Sequence, residues 1–181
     1  MSSTPSTGEI HIRDARPEER EAVAAVTLAA YAELARVMEP AAWAGLDGAI
    51  RAALASDAPA ERIVAERHGQ VLGAVALYPP AFDAYGGLAE HAPWPELRLL
   101  AVAPSARGLG IGRMLVEECV RRARRMGAAE LGLHTSKSMQ VAMGMYERMG
   151  FVRAPEYDFQ PEGGELVKGY RLPLGHAPRE A

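Results

Sequence analysis

Apolar and polar positions along the chain alternate with two periods, a period of two that is typical of strands and a period near 3.6 that is typical of helices. In the first half of the chain this pattern predicts three strands and two helices. The predicted elements are strands at 9–13, 62–66 and 71–78 and helices at 17–35 and 41–55. Pro17 suits the first turn of its helix, and His68-Gly69 is a short turn that predicts a hairpin.

The second half continues the alternation after a stretch at 79–95 that is rich in proline, glycine and aromatic residues and predicts a long irregular loop. The elements predicted beyond it are strands at 96–102, 131–134, 151–159 and 166–172 and helices at 110–126 and 139–149. Because side chains of a strand alternate, the even-numbered residues from Glu96 to Val102 should share one face. Strands that alternate with helices predict a layered α/β domain.

Composition and charge fit a single compact domain. The chain has 181 residues, of which 49% are hydrophobic, and this is enough to bury one full core. We expect one domain at 9–174 between polar tails at 1–8 and 175–181. The 20 Lys and Arg against 23 Asp and Glu give a net charge of −3, which argues against a broad nucleic-acid surface.

Cysteine usage and hydropathy bear on location. Cys119 is the one cysteine of the chain, so no internal disulfide forms, and its place in the apolar stripe of helix 110–126 predicts a core residue. No run approaches the roughly 20 apolar residues that span a bilayer. The first residues lack the basic and apolar regions of a secretory signal. We therefore expect a cytoplasmic protein without a membrane partner.

The most informative motif joins strand 96–102 to helix 110–126. Its glycines at 108, 110 and 112 allow successive backbone N–H groups to converge on an anion at the positive end of the helix. Two nucleotide fingerprints do not match this turn. Leu115 stands where Gly-x-Gly-x-x-Gly needs its third glycine, and no Gly-Lys-Ser/Thr follows. The turn predicts a phosphate site of another type.

Two motifs identify that type. Arg107, Gly110 and Gly112 fit Arg/Gln-x-x-Gly-x-Gly/Ala, and residues 142–151, Ala-Met-Gly-Met-Tyr-Glu-Arg-Met-Gly-Phe, fit Ala-x-x-x-Tyr-x-x-x-Gly-Phe. In this order and spacing they resemble the GNAT superfamily of N-acetyltransferases. The resemblance implies a GNAT fold, with a mixed, twisted central sheet of about seven strands flanked by helices. It also implies acetyl-CoA as co-substrate and an amine of a small molecule or peptide as acceptor.

The resemblance further implies roles for individual residues. Tyr146 would protonate the departing CoA thiolate, and Glu96, six residues before Val102, would accept the amine proton, usually through water. Backbone N–H groups at the end of the strand would hold the oxyanion. The cofactor-binding residues that it implies are Leu100, Ala101, Val102, Arg107, Gly108, Leu109, Gly110, Ile111, Gly112 and Arg113.

Each catalytic assignment has an alternative. Glu96 could pair with Arg98, its neighbour on the same face, and Asp83 and Glu90 in the preceding loop are the substitute bases. Tyr146 fits the apolar stripe of its helix and could be a core residue with one polar end.

Three other features of the sequence bear on cofactor contacts, metal binding and partners. The family often has Asn where Met139 stands, and Ser136, Ser138 or Gln140 could replace its contact with the cofactor. His134 has no second ligand at metal spacing, so we expect no metal site. The arginines at 121–125 predict a solvated helix face and no nucleic-acid partner.

Two alternative functions also fit the sequence. One is a non-catalytic acyl-CoA-binding regulatory module, and another is a nucleotide binder whose glycine loop only mimics the motif. A homodimer is open as well, since many relatives are dimers. The identity of the amine acceptor does not follow from the sequence.

Overall fold

The structure, a computed structural model, describes residues 8–175. The tails predicted at 1–8 and 175–181 lie outside these residues except for Gly8 and Gly175. No helix within the described range is both long enough and apolar enough to cross a membrane.

Seven strands form one open, mixed sheet. They are β1 (His11–Asp14), β2 (Glu61–Arg67), β3 (Gln70–Tyr78), β4 (Glu96–Val102), β5 (Glu130–Ser136), β6 (Val152–Arg153) and β7 (Val167–Pro173). Their order across the sheet is β1-β2-β3-β4-β5-β7-β6. Neighbouring strands are antiparallel except β4 and β5, which are parallel. The mixed sheet of about seven strands is therefore confirmed.

Within residues 8–175, four helices cover the sheet on both faces. They are α1 (Arg20–Tyr31), α2 (Pro40–Ala55), α3 (Ile111–Arg125) and α4 (Gln140–Arg148). Buried residues of α1 pack with Ala74 of β3, whereas those of α3 pack with Val75 and Leu77 of the same strand. Because adjacent residues of a strand point to opposite faces, α1 and α3 lie on opposite sides of the sheet. The helix predicted at 17–35 is a shorter α-helix that short 3-10 turns extend at both ends.

A bulge at Leu99 interrupts β4. The φ angle of Leu99 is 58°, a left-handed conformation that costs a non-glycine residue about 1–2 kcal/mol. Arg98 pairs with Ala76 and Ala101 pairs with Ala74, so two residues of β4 face a single residue of β3. This two-against-one arrangement defines a β-bulge, which bends the strand and increases its twist.

The bulge changes which side chains share a face. Ala101, rather than Leu100 or Val102, lies on the α1 side together with Glu96 and Arg98, whereas Leu100 and Val102 pack against the core beneath α3. The expectation of an unbroken alternation along β4 is therefore wrong. The extra residue supplies the physical reason, since it shifts the period of two by one position.

Strands β4 and β5 separate almost at once. Their register has one Cα pair, Glu96 with Gly132, beside the hydrogen bond from the Gly132 amide to the Pro95 carbonyl at 2.9 Å. Further along, β5 keeps a complete ladder with β7 on its other edge. The residues of β4 after Glu96 thus present one edge of their backbone to an opening in the sheet.

The strand predicted at 151–159 is wrong in length. The strand β6 is limited to Val152–Arg153, Pro155–Tyr157 form a 3-10 turn, and Phe159 pairs with Val167 of β7 as an isolated bridge. Proline has no N–H to donate to a ladder, which explains the interruption at this point. The partner strand Val167–Pro173 is close to its predicted bounds.

Candidate active site

A groove of about 1040 Å³ opens where β4 and β5 separate. One wall is the free edge of β4 from Leu97 to Val102, and the other includes His134 and Thr135 of β5. The end of α1, the glycine loop and α4 complete the lining. A single continuous groove therefore brings the two sequence motifs together at the opening in the sheet.

The glycine loop forms one end of the groove. Gly108 and Gly110 have φ angles of 81° and 76°, and Gly110 immediately precedes α3, so the first N–H groups of the helix face outwards from the loop. Gly112 lines the groove as well. The side chain of Ile111 is buried in the core, and that of Leu109 is exposed and does not line the groove. A contact from Leu109 to a ligand would thus come from its backbone.

The two loop arginines already have carboxylate partners. Arg107 forms an ion pair with Glu33, just beyond α1, and the Nε of Arg113 lies 2.8 Å from Glu117 one turn along α3. All four side chains are well exposed, and ion pairs of this kind contribute little to stability. Both arginines can therefore exchange these partners for a phosphate at little cost.

Tyr146 of α4 lines the groove although 95% of its surface is covered, since its relative exposure is 5%. Its ring packs against Phe151 with centroids 5.6 Å apart. Burial raises the pKa of the Tyr146 hydroxyl well above its ordinary value, with smaller contributions from Tyr31 and Cys119. The hydroxyl is consequently protonated at neutral pH. Tyr146 therefore packs as a core residue and also lines the groove.

Glu96 is buried behind the wall of the groove and is not among the lining residues. Its Oε1 accepts a hydrogen bond from the Tyr85 hydroxyl at 2.8 Å and contacts Nδ1 of His134. The alternative that Glu96 pairs with Arg98 is therefore wrong. The alternation of β5 explains the observed partner, because His134 lies on the same face as Gly132, which is the residue opposite Glu96.

His134 joins Glu96 to the groove, and our sequence reasoning missed it. Its Nε2 lies 2.8 Å from the carbonyl oxygen of Tyr157, so both ring nitrogens face acceptors. Burial by itself would lower the pKa of His134, but the hydrogen bond and the charge of Glu96 outweigh it, and the pKa is raised above its usual value. The imidazolium form satisfies both acceptors at once.

The two substitute bases lie elsewhere. Asp83 is exposed, and its Oδ1 accepts hydrogen bonds from the backbone of Tyr85 at 3.2 Å and of Gly87 at 2.9 Å. Glu90 is exposed too. Neither side chain lines the groove. The loop at 79–95 contributes to the site chiefly through Tyr85, which supports Glu96 from behind.

The residues around Met139 differ in whether their polar side chains already have a hydrogen-bond partner in the protein. Met139, Ser138 and Gln140 all line the groove, but the Ser138 hydroxyl donates to Glu165 at 2.5 Å. The hydroxyls of Thr135 and Ser136 are buried without a hydrogen-bond partner, and Thr135 lines the groove. A buried polar group without a partner is costly. Thr135 was not a sequence candidate, and it is the better placed of these two hydroxyls to meet a ligand.

The described residues contain no group of three or more His, Cys, Asp or Glu side chains that could hold a metal ion. The candidate chemistry at the groove consists of the glycine loop, the free edge of β4, Tyr146 and the Glu96–His134 pair.

Comparisons with known proteins agree with this geometry. Residues 28–151 match the acetyltransferase (GNAT) family. A GNAT family acetyltransferase from Brucella melitensis, solved in complex with acetyl-CoA, is 26% identical, with a TM-score of 0.61 over 96% of this chain and 94% of that one.

Two curated relatives are similar over part of their length. The IAA acetyltransferase of Azospirillum brasilense is 34% identical over 55% of this chain and 60% of its own. The mycothiol acetyltransferase of Cellulomonas flavigena is 35% identical over 52% of this chain and 27% of its own. This chain thus spans less than two thirds of the length of each of these relatives. The family match covers more than half of the chain, and the chain belongs to the GNAT acetyltransferase family.

Proposed function

We propose that this chain is an acetyl-CoA-dependent N-acetyltransferase that moves the acetyl group to a primary amine of a small molecule or peptide, by direct attack in a ternary complex. The observation that carries the proposal is the opening between β4 and β5, which connects the glycine loop to the buried hydroxyl of Tyr146 through one groove. A thioester in this groove would lie between a phosphate site and a protonated acid.

The lining of the groove suits acetyl-CoA in three respects. The N–H groups at the start of α3 offer donors for the pyrophosphate. The free edge of β4 offers backbone partners for the amide groups of the pantetheine arm, which adds to a sheet edge as a strand does. The Thr135 hydroxyl supplies a further polar group that lacks a protein partner.

The thioester would react at the bulge. Attack by the amine nitrogen on the carbonyl carbon creates an oxyanion, and the backbone N–H groups of Leu100 and Val102 would stabilise it from the free edge of β4. The N–H of Ala101 points to the other edge, where Ala101 pairs with Ala74 of β3. Because the bulge at Leu99 turns this backbone out of the regular ladder, the strained conformation of Leu99 serves the site. When the C–S bond breaks, Tyr146 would give its proton to the CoA thiolate and recover one from solvent.

The amine must lose a proton before or during attack. Glu96 would receive it through a water molecule, because Glu96 does not line the groove itself and contacts His134, which does. Tyr85 and His134 both contact Oε1 of the carboxylate, so Oε2 would accept the proton. The hydrogen bonds from Tyr85 and His134 hold the carboxylate in this orientation.

The decisive experiment measures CoA release from acetyl-CoA across a panel of amines, amino acids, polyamines, aminoglycosides and peptides, with hydrolysis in the absence of amine as the baseline. Tyr146→Phe should lower kcat by roughly 10²- to 10⁴-fold, the range for a general acid, without changing the fold. Tyr170→Phe is the matched control, because Tyr170 is equally buried but its hydroxyl bonds Glu147 outside the groove.

Three outcomes would contradict the proposal or one of its parts. Unchanged turnover in Tyr146→Phe would remove Tyr146 as the acid. If acetyl-CoA raises the melting temperature but no acceptor releases CoA, the chain is the non-catalytic acyl-CoA-binding module. If ATP or NAD raises the melting temperature instead, the loop binds a different nucleotide, because only a true ligand stabilises the folded state by mass action.

A further inference from the structure

Arg98 is a half-buried arginine that lines the groove without a charged partner. Its Nη1 donates to the carbonyl oxygen of Ala84 at 2.6 Å. Its guanidinium stacks over the ring of Tyr85 at 4.3 Å and lies 5.5 Å from the ring of Tyr78. Within residues 8–175 no carboxylate forms an ion pair with it. Ala84 and the two rings hold the guanidinium in place and leave its other N–H donors unused.

Arg98 is a cation in a half-buried position. A charge that is partly removed from water is costly unless an opposite charge compensates it. The nearby carboxylate of Glu96 is engaged with His134 and Tyr85. Tyr31, which also lines this part of the groove, is neutral, since burial raises its pKa to about 12 although Arg98 opposes the shift.

The carboxylates around Arg98 do not form an ion pair with its guanidinium. Glu96 is paired with His134, whose pKa it raises, and it forms no ion pair with Arg98. The acidic residues of the preceding loop, Asp83 and Glu90, do not line the groove. Among the described residues, Glu33 is the carboxylate that lines the groove, and it is already paired with Arg107. Cationic acceptors such as polyamines would therefore meet an unfavourable potential.

We propose that the acceptor carries a carboxylate close to its amine, as an amino acid does, and that Arg98 binds this carboxylate. This inference rests on the proposed function, because it concerns the acceptor of the same reaction. Arginine presents a planar fork that matches the two oxygens of a carboxylate, and the contact to Ala84 uses only one of its N–H donors.

The register of β4 determines the size of the acceptor. Arg98 lies two residues from Glu96 on the same face of the strand, a distance of about 7 Å along the backbone. Its guanidinium stacks on Tyr85, whose hydroxyl bonds Glu96. A carboxylate on Arg98 and an amine that reaches Glu96 through one water molecule are consequently close together, which favours a small amino acid over a long diamine.

The test compares acceptors that differ only in the carboxylate. Each amino acid of a panel is assayed beside its carboxamide and its decarboxylated amine. In the wild-type protein kcat/KM should be roughly 10- to 100-fold higher for the amino acid, the range expected for a hydrogen bond to a charged group. Arg98→Gln should remove this preference through KM for the amino acid and leave KM for acetyl-CoA unchanged, and Arg98→Lys should retain part of it.

Arg62→Gln is the matched control, because Arg62 is also half-buried and donates to a carbonyl, that of Ser56 at 2.8 Å, but does not line the groove. It should keep the preference. Equal rates for amino acid and carboxamide in the wild-type protein overturn the inference, as does an equal loss for both acceptors in Arg98→Gln. The wild-type comparison stands by itself if Arg98→Gln does not fold.

A binding measurement separates this inference from the proposed function. In the presence of CoA, the amino acid should raise the melting temperature of the wild-type protein and the carboxamide should not. If no acceptor is acetylated but this selective shift occurs and is lost in Arg98→Gln, the transferase function fails and the carboxylate site stands. Absence of both the reaction and the shift overturns both.

Discussion

Replacing Glu96 with glutamine should remove the charge that raises the pKa of His134 inside the protein. The side chains of His134 and Glu96 are only 5% and 11% exposed, so solvent screens their interaction little. Without the carboxylate, burial dominates and the pKa of His134 falls. The neutral imidazole would keep its Nε2–H bond to Tyr157 and accept a hydrogen bond from the glutamine amide on Nδ1.

The magnitude follows from these contacts. Removing one partner of a buried ion pair costs about 3–5 kcal/mol, and the retained hydrogen bond of the glutamine returns about 1 kcal/mol. The expected loss in the free energy of unfolding is therefore about 2–4 kcal/mol. For a domain of this size 1 kcal/mol corresponds to about 2–4 °C, so the melting temperature should fall by roughly 5–15 °C.

The loss should depend on pH in one direction. The folded-state pKa of His134 is raised, so its contribution is fully present below the unfolded-state value of about 6.5 and is lost as pH rises through the folded-state value. The gap between wild-type protein and Glu96→Gln should therefore be widest in mildly acidic solution and narrow at alkaline pH. Besides Glu96, the charged or titratable groups that act on His134 are Tyr85, Arg98 and Asp158.

Melting curves between pH 5 and 9 measure this effect, with Asp47→Asn as the control. Asp47 pairs with Arg51 on the exposed side of α2, and its replacement should change stability by less than about 1 kcal/mol. An NMR titration of the His134 ring gives its pKa directly. Parallel pH profiles for Glu96→Gln and the wild-type protein, or a ring that titrates below 6.5 in the wild-type protein, would refute the reasoning.

The remaining predictions concern glycines. Gly110→Ala should cost about 1–2 kcal/mol because φ is +76° and no atom lies within 4 Å of the added Cβ, and KM for acetyl-CoA should rise. Gly69→Ala, in a hairpin with φ +77° and the same open surroundings, should lose similar stability in thermal unfolding but keep the wild-type KM. Gly132→Ala should destabilise the protein by about 1–3 kcal/mol, since the added Cβ would lie 2.7 Å from Cδ1 of Trp94. In a Trp43→Phe background, a shift in Trp94 fluorescence would report the displaced ring. An unchanged spectrum would contradict the clash.

The sequence predicted the elements of the fold better than the contacts inside the site. The glycine loop and the helix of Tyr146 are local patterns, and both elements lie close to their predicted bounds. The bulge at Leu99 has no local signal, because leucine favours a regular strand and the extra residue is specified by pairing with β3.

The Glu96–His134 pair was missed for a related reason. It joins two strands that α3 separates in the chain, and its partners follow only from the parallel register of Glu96 with Gly132. Asp83 was a candidate base because it is an acidic residue of the loop before β4. Its carboxylate instead accepts hydrogen bonds from the backbone of its own turn. Pro155 was a signal that the sequence did contain, since it argued against a continuous strand at 151–159.

The single point of pairing between β4 and β5 also has a consequence for the order of folding. Strands β2 and β3 form a hairpin whose paired residues are close along the chain, so this pair can form early. The parallel junction requires the complete α3 crossover before its one Cα pair can form. We expect the junction to form late, and amide hydrogens of β4 that face the opening to exchange rapidly with solvent until a ligand covers them.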